Sequence, residues 1–163
     1  MFTKAERSTF PYWFAHWAAY QMTALNCKAW KVKYLFHDVE KPWLRLFLPY
    51  KRVQELHRAY HRHHPEWLEN MLFAYEYELT DEKIQKFLRL FDYDGAIIDW
   101  ECCHYTKAEE PLDAHDEYKR LLKYDDFKKK YPLITKFCYN EFSKNLMDSI
   151  KKLGLENNTK NKK

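Results

Sequence analysis

The sequence predicts an all-α fold, a compact single-domain helical bundle, on three observations. Glycine occurs only twice in 163 residues, at Gly95 and Gly154, which argues against a turn-dense β fold. Apolar side chains recur at helical spacing along most of the chain. Aromatic residues reach 18%, so the core is expected to be built from large rings on helix faces. One domain is expected over 1–153, with a disordered lysine- and asparagine-rich tail over 154–163.

The first helix is predicted from about Ser8 to Lys33. Ser8 or Thr9 can cap it, Pro11 suits its first turn, and Trp13, Trp17, Tyr20, Ala24 and Cys27 form an inward stripe. A short connection follows, and Pro42 opens a brief helix through about Leu48. From Tyr50 the pattern Val53, Leu56, Tyr60 marks another, reaching about His64 where Pro65 stops it. An aromatic-rich helix is expected over 65–79, and a further one after the Thr80 cap. Tyr93 to Tyr105 reads as helical with a frayed start at Gly95. Beyond a loop holding Pro111, Asp113 or Asp116 starts a helix to about Tyr124. A long helix from Pro132 to Leu153, with Ile134, Phe142, Leu146 and Ile150 on its apolar stripe, is expected to complete the core.

Composition excludes several function classes. Scarce glycine removes the phosphate loops of P-loop and dinucleotide-binding proteins. The net charge of +4 does not demand nucleic acid, since half of it sits in the tail. No apolar run of about 18 residues exists, so no membrane partner is expected. Four cysteines, none in a C-x-x-C, fit a reducing, cytoplasmic setting better than a zinc ribbon.

The residues that carry chemistry are histidines and carboxylates. His37 and Asp38 are adjacent and can share one divalent metal, a hard-to-borderline first-row ion by the mixture of imidazole and carboxylate. His16 sits at the edge of the first helix's inward stripe, where a hydrogen-bonded core histidine is the competing reading. His57, His61 and His64 fall at i, i+4 and i+7, one face of a continuous helix, while His63 would point elsewhere. Arg58 and Arg62 form an adjacent row, readable as a solvated face or a nucleic-acid surface. Asp99 lies in an apolar helix beside Ala96 and Cys103. Buried there, it needs a cation, either an arginine in a salt bridge or a metal.

Taken in order, His16, His37-Asp38, the histidines of 57–64 and Asp99 resemble the signature of the HD-domain superfamily of metal-dependent phosphohydrolases. His37-Asp-Val-Glu-Lys41 is similar to that superfamily's HD-x-x-K variant. His63-His-Pro-Glu-Trp67 and Asp99-Trp-Glu101 resemble a small, uncharacterised HD-like family. The resemblance spans residues 10 to 107 and implies an all-α HD-like bundle. It also implies a divalent transition metal (manganese, iron, nickel, cobalt or zinc) on His16, His37, Asp38 and Asp99. His61 and His64 would serve a second metal or the substrate phosphate. Asp38 would orient water or bridge two metals, and Lys41, Arg58 and Arg62 would neutralise phosphoryl charge. Glu40 and Glu66 are weaker candidates for proton transfer. The expected substrate is a phosphorylated small molecule or nucleotide, a phosphate mono- or diester. Two rivals stand beside it: a metal-binding protein without turnover, and a helical interaction module using the basic 51–62 row.

Overall fold

The computed structural model describes residues 1–108 and 113–156, and among these it holds ten α-helices and no strand. Helix α1 (Phe10–Asn26) begins at Thr9 with Pro11 in its first turn. It is shorter than the Ser8–Lys33 expectation. Lys28 adopts a left-handed φ of 52°, and the amide of Ala29 reaches back to the Ala24 carbonyl at 2.9 Å, closing the helix as glycine usually does. Tyr20 and Ala24 are buried as expected, whereas Trp17 is only half-buried and gives its indole N–H to the Leu35 carbonyl at 3.0 Å.

A 3-10 turn over Val32–Phe36 leads to α2 (Glu40–Arg45) and α3 (Tyr50–Tyr60). Helix α3 ends four residues before the expected His64. His64 precedes Pro65, whose ring disfavours helical backbone in the residue before it, and His61 and His64 are both extended. Helix α4 (Pro65–Ala74) likewise ends early, in a 3-10 turn over Glu76–Glu78. Helix α5 (Asp81–Leu90) starts at Thr80, whose hydroxyl accepts the Lys83 amide. Helix α6 (Tyr93–Thr106) is capped by Asp92, and a Cβ at Gly95 would collide with that carboxylate. Gly95 therefore belongs to an ordered first turn and not to a frayed one.

Helix α7 (Ala114–Leu121) is capped by Asp113 as expected, and α8 (Tyr124–Lys130) is an addition to the sequence reading. The long final helix is two, α9 (Pro132–Phe137) and α10 (Tyr139–Lys152), broken at Cys138, where φ is −150°. Gly154 turns the chain with φ 71°, so Leu155 packs into the core although the tail was expected to be loose from residue 154. Residues 157–163 of the tail and Pro111 lie outside the described residues.

Helix α6 is the axis of the bundle. It packs along α1 on one side and α10 on the other. Its Ile97 and Ile98 join Phe127, Tyr131, Ile134, Phe142, Leu146 and Ile150 in a fully buried apolar core. Asp99 and Cys102 lie on the same helix and meet His16 of α1.

Candidate metal centre

Four donors from three places in the chain, His16, the adjacent His37 and Asp38, and Asp99, come together between α1 and α6. His16 Nε2 lies 3.1 Å from Asp99 Oδ1, 3.5 Å from Asp38 Oδ2 and 3.4 Å from His37 Nε2. His37 Nε2 lies 3.5 Å from Asp99 Oδ1 and 3.6 Å from Asp38 Oδ1. Donors bonded to one ion at about 2.1 Å stand roughly 3.0–3.4 Å apart in octahedral or tetrahedral arrays, close to these separations. His16, His37 and Asp38 form one compact group, and His16 joins Asp99 in another with Cys102 and Cys103. All four residues are buried.

Local structure puts them there. The segment carrying His37 and Asp38 is tied to α1 by Trp17 and by Gln21, whose amide donates to the Tyr34 carbonyl at 2.6 Å. The His37 ring stacks on Tyr20 with centroids 3.7 Å apart. Asp38 has a left-handed φ of 62°, a conformation that aspartate tolerates better than most residues but that still carries strain. That backbone turn sets its carboxylate among the imidazoles.

A second group adjoins the first through Asp38. His57 Nε2 lies 3.2 Å from Asp38 Oδ1, yet the two are not aligned as a hydrogen bond, and both are buried without any such partner. The Nε2 atoms of His63 and His64 are also buried and unpartnered. Donor atoms of His57, His63 and His64 lie within 4.8 Å of one another. Buried polar atoms without partners are uncommon in folded proteins, because each costs about 1–3 kcal/mol. A metal ion satisfies such an array, and these residues fit one.

His63 is the principal correction to the one-face reading. Because α3 stops at Tyr60, the 61–64 turn folds His63 inward, its ring 5.1 Å from His37. His61 remains half-exposed, 3.3 Å from Glu40 Oε1, and can act only from that side. Glu40 accepts from His57 Nδ1 at 2.5 Å, fixing the tautomer whose Nε2 carries a lone pair, not a proton, on the side of Asp38. Sequence reasoning gave Glu40 no such role. The residue before Pro65 was the available sign that His64 could not be helical.

The electrostatics suit metal ligation. Burial opposes charge on Asp38, but His37, Lys41, His57 and His16 outweigh it and hold the carboxyl well below its ordinary range. Burial is outweighed at Asp99 too, by hydrogen bonds from His16 and His37. Burial, with Lys41 nearby, lowers His57 to about 4, and burial keeps His63 and His64 well below their usual value. Those three imidazoles are neutral at pH 7, as ligands must be.

The cations divide. Lys41 is buried, and its ammonium is held by Asp38 Oδ2 at 2.6 Å. Arg58 is exposed on α3 and lines two adjoining cavities of about 180 and 160 Å³, both bordered by His64, Asp99, Cys103 and Lys107. Lys107 was not singled out from the sequence. Arg62 lies beyond the end of α3, over the Trp67 ring, and lines a different hollow of about 820 Å³ with His37, His61 and His63. The expected Arg58–Arg62 row is therefore not formed. Glu66 borders the outer cavity, 3.2 Å from Lys130 and 4.0 Å from Arg58.

No family model, curated protein or solved structure matches this chain. The arrangement of its own residues carries the functional argument.

Proposed function

We propose that this protein is an HD-like, metal-dependent phosphohydrolase acting on a phosphate mono- or diester such as that of a nucleotide. The observation that carries the reading is the shared corner at Asp38. One of its oxygens faces His16 and Lys41, and the other faces His37 and the unpartnered His57. His16, His37, Asp38 and Asp99 would hold one ion, and His57, His63 and His64, sharing Asp38, a second. When bound, such ions supply Lewis acidity toward a phosphoryl oxygen and acidify water.

The chain's own groups do the remaining work. Lys41 holds the Asp38 carboxylate in place and is a positioning residue, a narrower part than direct contact with phosphate. Glu40 holds His57. Arg58 and Lys107 place positive charge at the mouth of the cavities that reach Asp99 and His64, where an anionic substrate would gather charge in the transition state. Arg62, in the separate hollow, would touch only a distant part of a larger substrate.

Elemental analysis of wild type beside His37→Ala and Asp99→Ala tests the centre. Hydrolysis of p-nitrophenyl phosphate and bis(p-nitrophenyl) phosphate tests the activity. Stoichiometric metal lost in both variants, with turnover lost alongside it, is the expected result. Metal without turnover on a broad phosphoester panel would favour the metal-binding protein, for which the near-complete burial of the donors speaks. No uptake of manganese, iron, nickel, cobalt or zinc would sink both.

A further inference from the structure

The outer face of the bundle beside the centre is apolar in a way the site chemistry does not use. Phe10 and Phe14 of α1 stand 61–66% exposed. Trp43 and Leu46, which line the same groove, are 70–71% exposed, and Phe36 and Phe47, on the turns that flank α2, are 66% and 82% exposed. That groove, of about 630 Å³, is also lined by Trp13, His37 and Asp38. Scattered exposed apolar residues are ordinary, but a contiguous set of large ones marks an interaction surface.

We infer that this face docks the protein on an anionic lipid surface. Charge is the first argument. From Lys41 to Gln54 the chain contains no acidic residue, and it contains Lys41, Arg45, Lys51 and Arg52. Lys41 is turned inward to Asp38 and Arg52 is balanced by Glu55 at 3.1 Å. Arg45 and Lys51 have no carboxylate partner among the described residues, and they flank the exposed Leu46 and Phe47. A second copy related by two-fold symmetry would bring this patch against itself, like charge against like charge. Anionic headgroups supply the complement instead.

Shape is the second argument. Trp43 and Phe47 are 71% and 82% exposed, so most of each ring stands in solvent and not in the groove. Projecting tryptophan and phenylalanine beside basic residues suit the boundary between headgroups and acyl chains. No described helix is long and apolar enough to cross a membrane, so the contact would be superficial. The expectation of no membrane partner rested on that same lack of a spanning segment, which says nothing of a surface. The cavity bordered by His16, His57 and Asp99 shares no lining residue with the groove, so docking would leave that entrance open. This inference stands whether or not the centre turns over phosphoesters.

The test is co-sedimentation of the full chain with vesicles of phosphatidylcholine alone and with about one-third phosphatidylglycerol added, together with its solution mass by light scattering. The expected result is binding to the anionic vesicles that weakens with salt. It should weaken about tenfold in Trp43→Ser/Phe47→Ser and by a smaller factor in Lys51→Glu. Both sites are exposed enough that circular dichroism should show an unchanged fold. Absence of vesicle binding overturns the proposal, and if the double variant also converts a dimer to a monomer, the face belongs to a second copy. Binding that the double variant leaves intact overturns it as well.

Discussion

The two halves of this bundle are buried for opposite reasons. Around α8 to α10 the interior is Phe127, Tyr131, Ile134, Phe142, Leu146 and Ile150, all with essentially no exposure. Removing that apolar surface from water is favourable by itself, at about 25 cal/mol per Å². Between α1, α3 and α6 the interior is instead imidazole and carboxylate, with four buried atoms on Asp38, His57, His63 and His64 lacking hydrogen-bond partners. One half supplies stability unconditionally. The other opposes folding until a ligand satisfies it.

That contrast gives the largest expected effects. Phe142→Ala should destabilise the protein by about 3–5 kcal/mol through lost burial and a cavity, with metal content per folded molecule unchanged. Chelation should do the reverse, lowering the unfolding free energy without touching the apolar core. With metal at about 100 times its dissociation constant, the loss on removal is about 2.7 kcal/mol. Chemical denaturation with and without chelator, in both backgrounds, checks whether the two effects add. If chelation leaves wild-type stability unmoved, the polar half is satisfied by other means and the contrast fails.

The apolar half was largely legible in the sequence, because its residues obey one local rule, the helical period. Phe142, Leu146 and Ile150 were placed correctly even though the helix carrying them is broken at Cys138. The donor set was legible as a list. Its geometry was less so, because it depends on where helices stop. Lys28 ends α1 in a conformation that glycine normally marks, and nothing in Asn26-Cys27-Lys28 announces it. Pro65 announces only that His64 is not helical; the stop at Tyr60, which turns His63 inward, has no such mark in the sequence. Asp38 and Lys41 pair one turn apart, so a lysine readable as a substrate contact serves a neighbouring carboxylate instead.

The polar half can be sharpened at Glu40. It touches none of the four central donors, and its contacts are His57 Nδ1 and His61 Nε2. Burial opposes its charge, but the hydrogen bonds from His57 and His61 hold its carboxyl below the ordinary range. Glu40→Gln keeps the shape and removes the charge that orients His57. Metal affinity should fall about 10–100-fold, as for other carboxylates behind a ligating histidine, with thermal stability of the chelated protein little changed. Metal titration by calorimetry reads this directly. An unaltered affinity would mean that His57 is not held as a ligand, and the second group would lose its support.

The smallest effect concerns Asp94, a carboxylate on α6 whose partners are all protein. It accepts from Ser149 Oγ at 2.7 Å, Lys152 Nζ at 2.7 Å and Lys31 Nζ at 3.1 Å, joining α6 to α10 and to the segment before His37. Burial opposes its charge, but Lys152, Ser149 and Lys31 draw its pKa down to about 2. Its unfolded value is about 3.9, so its contribution is complete above about pH 4 and is lost as the pH falls from there through about 2. Both lysines are substantially solvated, which screens the pairs and limits Asp94→Asn to a loss of about 1 kcal/mol at pH 7. Urea denaturation from neutral pH downward should show wild type and variant converging as Asp94 protonates, with metal content the same in both. An offset that stayed constant to the acid end would assign the role of Asp94 to packing and its hydroxyl contact with Ser149, and not to its charge.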